Sequence, residues 1–272
     1  MFASIETARR IERAEAATTR AMADALIASG RAPGAFVHEV GGGVAVYVRA
    51  GSPINKVIGA GLDAAIDDAA LSAVEQAMRA HDEPVRVELA TLATPATGEQ
   101  LTARGYRLLG FENVLALPLS AIAPTTSAIR IEPLTAATTD RWKDTLVDGF
   151  AHSDDSGVPV DHFGRDAIAA VIDDFLAARD FDRYLAYRGD ATAGAASMRV
   201  HDGVALLTGS ATLPLHRRAG VQAALIAARL ADAHARGAEL AVITTAPGSQ
   251  SQANVTRRGF ALVYARAILV RD

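Results

Sequence analysis

The chain has no cysteine in 272 residues. It can form no disulfide framework, offers no thiolate nucleophile and supplies no cysteine ligand to a metal. Basic excess is lacking too. The formal net charge is −4, and nothing in it points to nucleic acid or to an anionic membrane surface as a partner. No apolar run approaches the roughly 18–20 residues that span a bilayer. The first residues, MFASIETARRIERAEAATTRAM, mix both charge signs through a helical pattern and lack the basic-then-apolar layout of a secretion signal. No histidine–carboxylate spacing has a metal-ligand signature, so no metal is expected. A cytoplasmic protein is the expectation.

Half of the residues are hydrophobic and 21% are charged, a globular composition. The length suits two domains of ordinary size. From Ile5 to Ser29 the apolar spacing predicts a helix that ends at Gly30. Strands at Ala35–Glu39 and Val44–Arg49 flank the glycines 41–43 and read as a hairpin. A strand at Asn55–Gly61, a helix at Asp67–Ala80, a strand at Val85–Leu89, a helix at Ala96–Arg104 and a long strand at Tyr106–Leu117 come next. The Pro- and Thr-containing stretch Ile122–Ala128 reads as a linker.

The second half uses the same grammar. Strand Ile129–Pro133 precedes helices at Ala137–Phe150 and Asp166–Ala178. Strands follow at Arg183–Arg188, Ala193–Val200 and Val204–Leu213, then a helix at Arg218–Arg236. Strand Leu240–Thr245, helix Ser249–Arg257 and strand Phe260–Val270 close the chain. This is an α/β (α+β) pattern: two tandem domains, each a mixed, mostly antiparallel sheet flanked by helices. The expected boundaries are 1–121 and 129–272, with 122–128 between them. An internal repeat supports duplication. PVRVELATLATPATGEQLTARGYRLL lies over AELAVITTAPGSQSQANVTRRGFALV at an offset of 154, placing Arg104-Gly105-Tyr106 on Arg258-Gly259-Phe260.

The stretch Leu213-Pro-Leu-His-Arg-Arg-Ala-Gly-Val-Gln-Ala-Ala-Leu-Ile joins a strand end to an apolar helix. Unpaired N–H groups and the dipole at the helix start favour an anion. Gly220 permits close backbone approach, and Arg217 and Arg218 add cationic donors. An ordinary helix start would look the same in isolation. With Arg217, Gly220 and Gln222 at the positions of a Gln/Arg-x-x-Gly-x-Gly/Ala pattern, and with the closing Gly259-Phe260, residues 129–272 resemble the GCN5-related N-acetyltransferases. The resemblance implies acetyl-CoA as cosubstrate, with amides from Arg217 through Arg218, Ala219, Gly220 and Val221 to Gln222 around its pyrophosphate. It implies that Ala211, Thr212 and Leu213 run beside the pantetheine arm, and that the strand at 241–245 splays away to open a cleft for the thioester. Ser249, Ser251 and Asn254 are further candidate cofactor contacts, and each could equally cap the short helix.

The sequence departs from the family pattern at three points. Gln222 stands where Gly or Ala is usual, Val255 where a Tyr often protonates the leaving thiolate, and Gly248 where an Asn is common. Acyl transfer to an amine needs a proton acceptor and an N–H donor for the developing oxyanion, the latter expected from the backbone at Thr212–Leu213. The candidate catalytic residues are Tyr264, as a replacement acid, and His152 and Asp154 in the polar loop that also holds Asp155, Asp161 and His162. His216 is a candidate phosphate-side contact.

The expected function is transfer of an acetyl group to a primary amine of a small molecule. A silent CoA-binding or sensing module and an O-acyltransferase are the alternatives, and a homodimer is left open. At the offset of 154, Asp63–Asp68 replaces Arg217–Gln222, so the first domain is expected to keep the fold without a CoA site, because an acidic loop repels a pyrophosphate.

Overall fold

The computed structural model describes residues 4–120, 127–152 and 164–272. In chain order the elements are α1 (Ile5–Ala28), β1 (Phe36–Val40), β2 (Gly43–Tyr47), β3 (Lys56–Ile58), α2 (Asp68–Arg79), β4 (Val85–Ala90), α3 (Pro95–Ala103) and β5 (Arg107–Pro118). Then come β6 (Arg130–Pro133), α4 (Thr139–Ala151), α5 (Arg165–Ala177), β7 (Asp182–Arg188), β8 (Ala191–His201), β9 (Val204–Thr212), α6 (Val221–Ala235), β10 (Leu240–Thr245), α7 (Gln250–Thr256) and β11 (Ala261–Arg271). No helix among the described residues is long and apolar enough to cross a membrane.

The chain forms two compact units that are not its contiguous halves. The first comprises residues 1–115, 244–247 and 261–272, and the second residues 116–243 and 248–260. In the first unit β1, β2 and β3 are antiparallel neighbours and β3 runs parallel to β4. The last strand of the chain, β11, with β5 following on its other side, joins this sheet by pairing antiparallel with β4, from Arg266 opposite Ala90 to Arg271 opposite Val85. Leu269 carries it into the core formed by Val57, Leu71, Met78, Val87, Leu101 and Tyr106. A fully buried side chain of that size stabilises by about 1.5–3 kcal/mol.

Local chemistry starts the helices where expected. The Ser4 hydroxyl accepts from the Thr7 amide to open α1, and the Asp67 carboxylate accepts from the Ala70 amide to open α2. Ala8, Ile11, Ala14, Met22 and Leu26 form the buried stripe of α1.

In the second unit β6, β7, β8 and β9 are antiparallel neighbours in that order, and β9 runs parallel to β10. Trp142 and Leu146 of α4 pack with Ile168 and Ile172 of α5 on Leu185, Ala195 and Ala211 of the sheet. Helix α6 begins at Val221 rather than at the expected Arg218, because Gly220 is left-handed (φ 82°) and Arg218 also has positive φ (60°). Neither conformation continues a right-handed helix.

Candidate active site

A cavity of about 690 Å³ opens in the second unit. Ser210, Ala211 and Thr212 line it from the end of β9, and His216, Arg217, Arg218, Gly220, Val221 and Gln222 from the turn into α6. Ser249, Ser251, Asn254, Arg257 and Arg258 come from α7 and its end, and Gly149 and Phe150 from α4. Four arginines line it and no acidic residue does, although the whole chain is net negative.

Strand divergence makes the room. The parallel register of β9 with β10 ends at Leu206 opposite Val242, while β9 continues to Thr212. Between Ala211 and Thr208, β9 places two residues, Gly209 and Ser210, opposite the single Ala196 of β8. This is a β-bulge with left-handed Gly209 (φ 41°), and a bulge bends its strand and increases its twist. The Leu213 amide donates to the Ala193 carbonyl at 3.0 Å. That bond makes Gly194–Thr212 a non-hydrogen-bonded pair, so the Thr212 N–H and C=O turn away from β8, toward the side that β10 has vacated. Of the two expected oxyanion donors, Leu213 is therefore engaged within the sheet, and Thr212 carries the outward amide.

Helix α4 approaches this strand end at Gly149. A β-carbon there would lie 2.5 Å from Cβ of Ala211, so only glycine fits. Glycine in a helix interior costs about 0.5–1 kcal/mol relative to alanine, and here close contact requires it.

The turn after β9 is short. Pro214–His216 form one 3-10 turn, and Gly220 then exposes the first amides of α6. The first bond of the helix runs from the Ala224 amide to the Gly220 carbonyl, so the amides of Val221, Gln222 and Ala223 have no partner within α6. Arg218 in the left-handed region is strained backbone of the sort that collects at ligand sites. The Gln222 side chain, the departure from the small residue of the pattern, accepts from Asn254 Nδ2. Asn254 Oδ1 in turn accepts from Gln250 Nε2 at 2.9 Å and from Arg257. Gln222 is thus tied to α7.

Ser249 caps α7 by accepting from the Gln252 amide at 3.2 Å while also lining the cavity. Ser251 and Asn254 line it as well. Leu213 and Ala219, named with this group in the sequence, are not lining residues.

The catalytic candidates separate. Tyr264 lies in the first unit, 5% exposed, and its hydroxyl donates to Glu12 Oε1 at 2.6 Å. Burial, with the Glu12 charge, pushes its pKa far above the usual phenol range. A phenol held in that state and absent from the cavity lining is not placed to protonate a thiolate there, which corrects the expectation. The sequence missed this because the partner of β11 is set by tertiary pairing. His152 ends α4, exposed, with Nδ1 2.8 Å from the Asp148 carbonyl. A ring nitrogen hydrogen-bonded to a carbonyl must donate, so in the neutral ring Nε2 is the acceptor. The His152 carbonyl receives a hydrogen bond from Arg217. Asp154, with Asp155, Asp161 and His162, lies outside the described residues.

Sequence reasoning missed Gly149, Phe150, Ser210, Arg257 and Arg258 as lining residues. The Arg-Arg-Gly-Phe run was the available signal for the last two. His216 lines the cavity with a buried Nδ1 that has no hydrogen-bond partner. No metal-binding group of three or more His, Asp or Glu occurs among the described residues.

No protein-family model matches the chain, and a search of curated proteins gave no match. Solved structures do match. A GCN5-related N-acetyltransferase from Kribbella flavida aligns over 94% of each chain at 20% identity and TM-score 0.65. A tandem GNAT protein from the clavulanic acid biosynthesis pathway aligns over 88% of this chain and 84% of its own at 12% identity and TM-score 0.60. A GCN5-related N-acetyltransferase from Sphaerobacter thermophilus aligns over 74% and 66% at 13% identity and TM-score 0.54. The chain has the fold of the GCN5-related N-acetyltransferases and matches a tandem protein of that fold over most of its length.

Proposed function

We propose that the chain is an acetyl-CoA-dependent acyltransferase that acetylates a primary amine of a small molecule, with one active site, in the second unit. The observation that carries this reading is the cavity with four arginines and no acid at the open N-terminus of α6. Such a site suits a pyrophosphate: the amides of Val221–Ala223 and the helix dipole face it, and guanidinium groups neutralise it. The pantetheine arm then runs along Ser210–Thr212, where the β9 backbone lacks a neighbour on β10. The Thr212 amide is the donor for the thioester oxygen as charge develops there. An amine attacks the carbonyl directly, its proton leaves to a base, and the thiolate departs. His152 does not itself line the cavity, but its carbonyl accepts a hydrogen bond from Arg217, which does, and through Nε2 it is the base we favour among the described candidates.

Acetyl transfer predicts thiol release from acetyl-CoA in the presence of an acceptor, read across panels of amines and alcohols. Release with amines alone supports the reading, and release with alcohols alone would replace it with O-acylation. One feature favours a binding-only protein: Val255, at the family's tyrosine position, is 0% exposed and belongs to the packed interior. Tight CoA binding with no thiol release on either panel would establish that second reading.

We propose further that the first unit binds no CoA. Asp63, which replaces Arg217 at the offset of 154, bonds Arg13 at 2.5 and 3.0 Å. The Arg13 hydrogen bond, opposed by partial burial, holds its carboxyl below the usual range and therefore charged. Ile66, in place of Gly220, is packed so closely on the 41–43 turn that a β-carbon on Gly41 would lie 2.7 Å from its Cγ1. Calorimetric titration is expected to count one CoA per chain, and a count of two would contradict the assignment.

A further inference from the structure

Arg229 of α6 is 0% exposed, and among the described residues no carboxylate pairs with it. Its Nε donates to the Leu225 carbonyl one helical turn back, at 3.0 Å. Its Nη1 donates to the Ser197 carbonyl at 3.0 Å and to the Thr208 carbonyl at 3.4 Å. Ser197 and Thr208 are the opposed pair that closes one side of the Gly209–Ser210 bulge, and their hydroxyls bond each other at 2.9 Å. The Ala196 carbonyl, on the residue facing the bulge, is taken by a second buried donor, Nε1 of Trp142 on α4, at 3.2 Å.

Two helices thus each send a fully buried donor to the backbone where β9 leaves its regular ladder. A guanidinium buried without a counter-ion is costly, and packing alone would be served as well by methionine or leucine. The bulge disrupts the ladder locally, and Arg229 bonds a carbonyl on each strand beside it, although its buried Nη2 finds no partner among the described residues. From the bulge the strand runs on through Ser210–Thr212, the segment that lines the cavity.

We propose that Arg229 is a positioning residue: with Trp142 it locks the β9 bulge, and so fixes the direction in which Ser210–Thr212 presents its backbone to the pantetheine arm and thioester. This rests on the reading of the cavity as a CoA site, but it concerns a residue that touches no ligand. Arg229 lies outside the pyrophosphate turn, so the two parts of the site separate experimentally.

The test compares two probes on the full chain: CoA, and adenosine 3′-phosphate 5′-diphosphate, which keeps the diphosphate and lacks the arm. In Arg229→Met the truncated probe is expected to bind within about twofold of wild type, while CoA loses about tenfold, the equivalent of one or two ordinary hydrogen bonds. Arg229→Lys, which keeps the charge and can reach one carbonyl, is expected to recover part of the loss. Gly209→Ala leaves Arg229 in place and strains the left-handed bulge residue, and is expected to reproduce the signature should Arg229→Met fail to fold. Equal losses for both probes in these variants, or none, would overturn the proposal. If wild type itself binds CoA no better than the truncated probe, the reading of β9 as the pantetheine strand fails instead.

Discussion

Replacing Arg217 and Arg218 together by alanine is expected to weaken CoA binding by about 100-fold, since charge-assisted hydrogen bonds contribute about 1.5–3 kcal/mol each. The loss falls at the low end of that range for two reasons. Both side chains border an open cavity, where solvent screens them, and Arg257 and Arg258 remain to hold part of the anion. The helix amides are untouched, so some binding survives. The same screening predicts that wild-type affinity falls with added salt and that the double variant is less salt-sensitive. Titration of both proteins at two ionic strengths checks this. Unchanged affinity in the double variant would place the pyrophosphate elsewhere.

The second large effect concerns stability. Arg266 of β11 is 1% exposed in the first unit. Its Nε donates to Glu12 Oε1 at 2.8 Å, its Nη1 to Glu112 Oε2 at 3.0 Å, and its Nη2 lies 3.6 Å from Glu15. Nearby, Lys56 pairs with Glu88 at 3.0 Å. Burial raises the carboxyl pKa of both Glu15 and Glu112, and the Arg266 charge works against that rise. Arg266→Met removes the cation and leaves the carboxylates, which is expected to destabilise the chain by about 3–5 kcal/mol.

The pH dependence has a definite sign. A carboxyl whose folded pKa lies above its unfolded value holds more protons in the native state, so stability falls as pH rises through the folded pKa and recovers as pH drops toward the ordinary value of 4.5. Without Arg266 the upward shifts grow. The deficit of the variant in thermal melts is therefore expected to be smaller at pH 5 than at pH 7, and an equal deficit at both would show that lost packing, not buried charge, is responsible.

What the sequence disclosed and what it concealed divide along the range of the forces involved. Helix starts at Asp67 and Ser249, the glycine turn at 41–43 and the strand-turn-helix around Gly220 are local, and side-chain caps and backbone freedom place them within a few residues. The turn proposed for the pyrophosphate was legible for the same reason: its arginines, glycine and helix start are contiguous. Pairing is not local. Strands β5 and β11 come after matching Arg-Gly-aromatic signals, and nothing in either says which strands it pairs with. Tyr264 was consequently misread as an acid when it belongs to the Glu12–Arg266 cluster of the first unit. Arg229 was invisible for a related reason. An arginine on a helix reads as a solvated side chain, and only the bulge in β9, itself a pairing irregularity, gives its guanidinium a buried destination. The cavity arginines after α7 were in view in the sequence, but their convergence on the α6 start depends on how β10 and α7 fold back.

The central claim is that the second unit binds acetyl-CoA with its pyrophosphate at the start of α6 and its thioester at the end of β9. A crystal structure of the chain with acetyl-CoA tests it most directly. The expected result is phosphate oxygens against the amides of Val221–Ala223 and the guanidinium groups of Arg217 and Arg218, with the thioester carbonyl beside the Thr212 amide. A pyrophosphate bound away from this turn, or a thioester remote from Thr212, would contradict it.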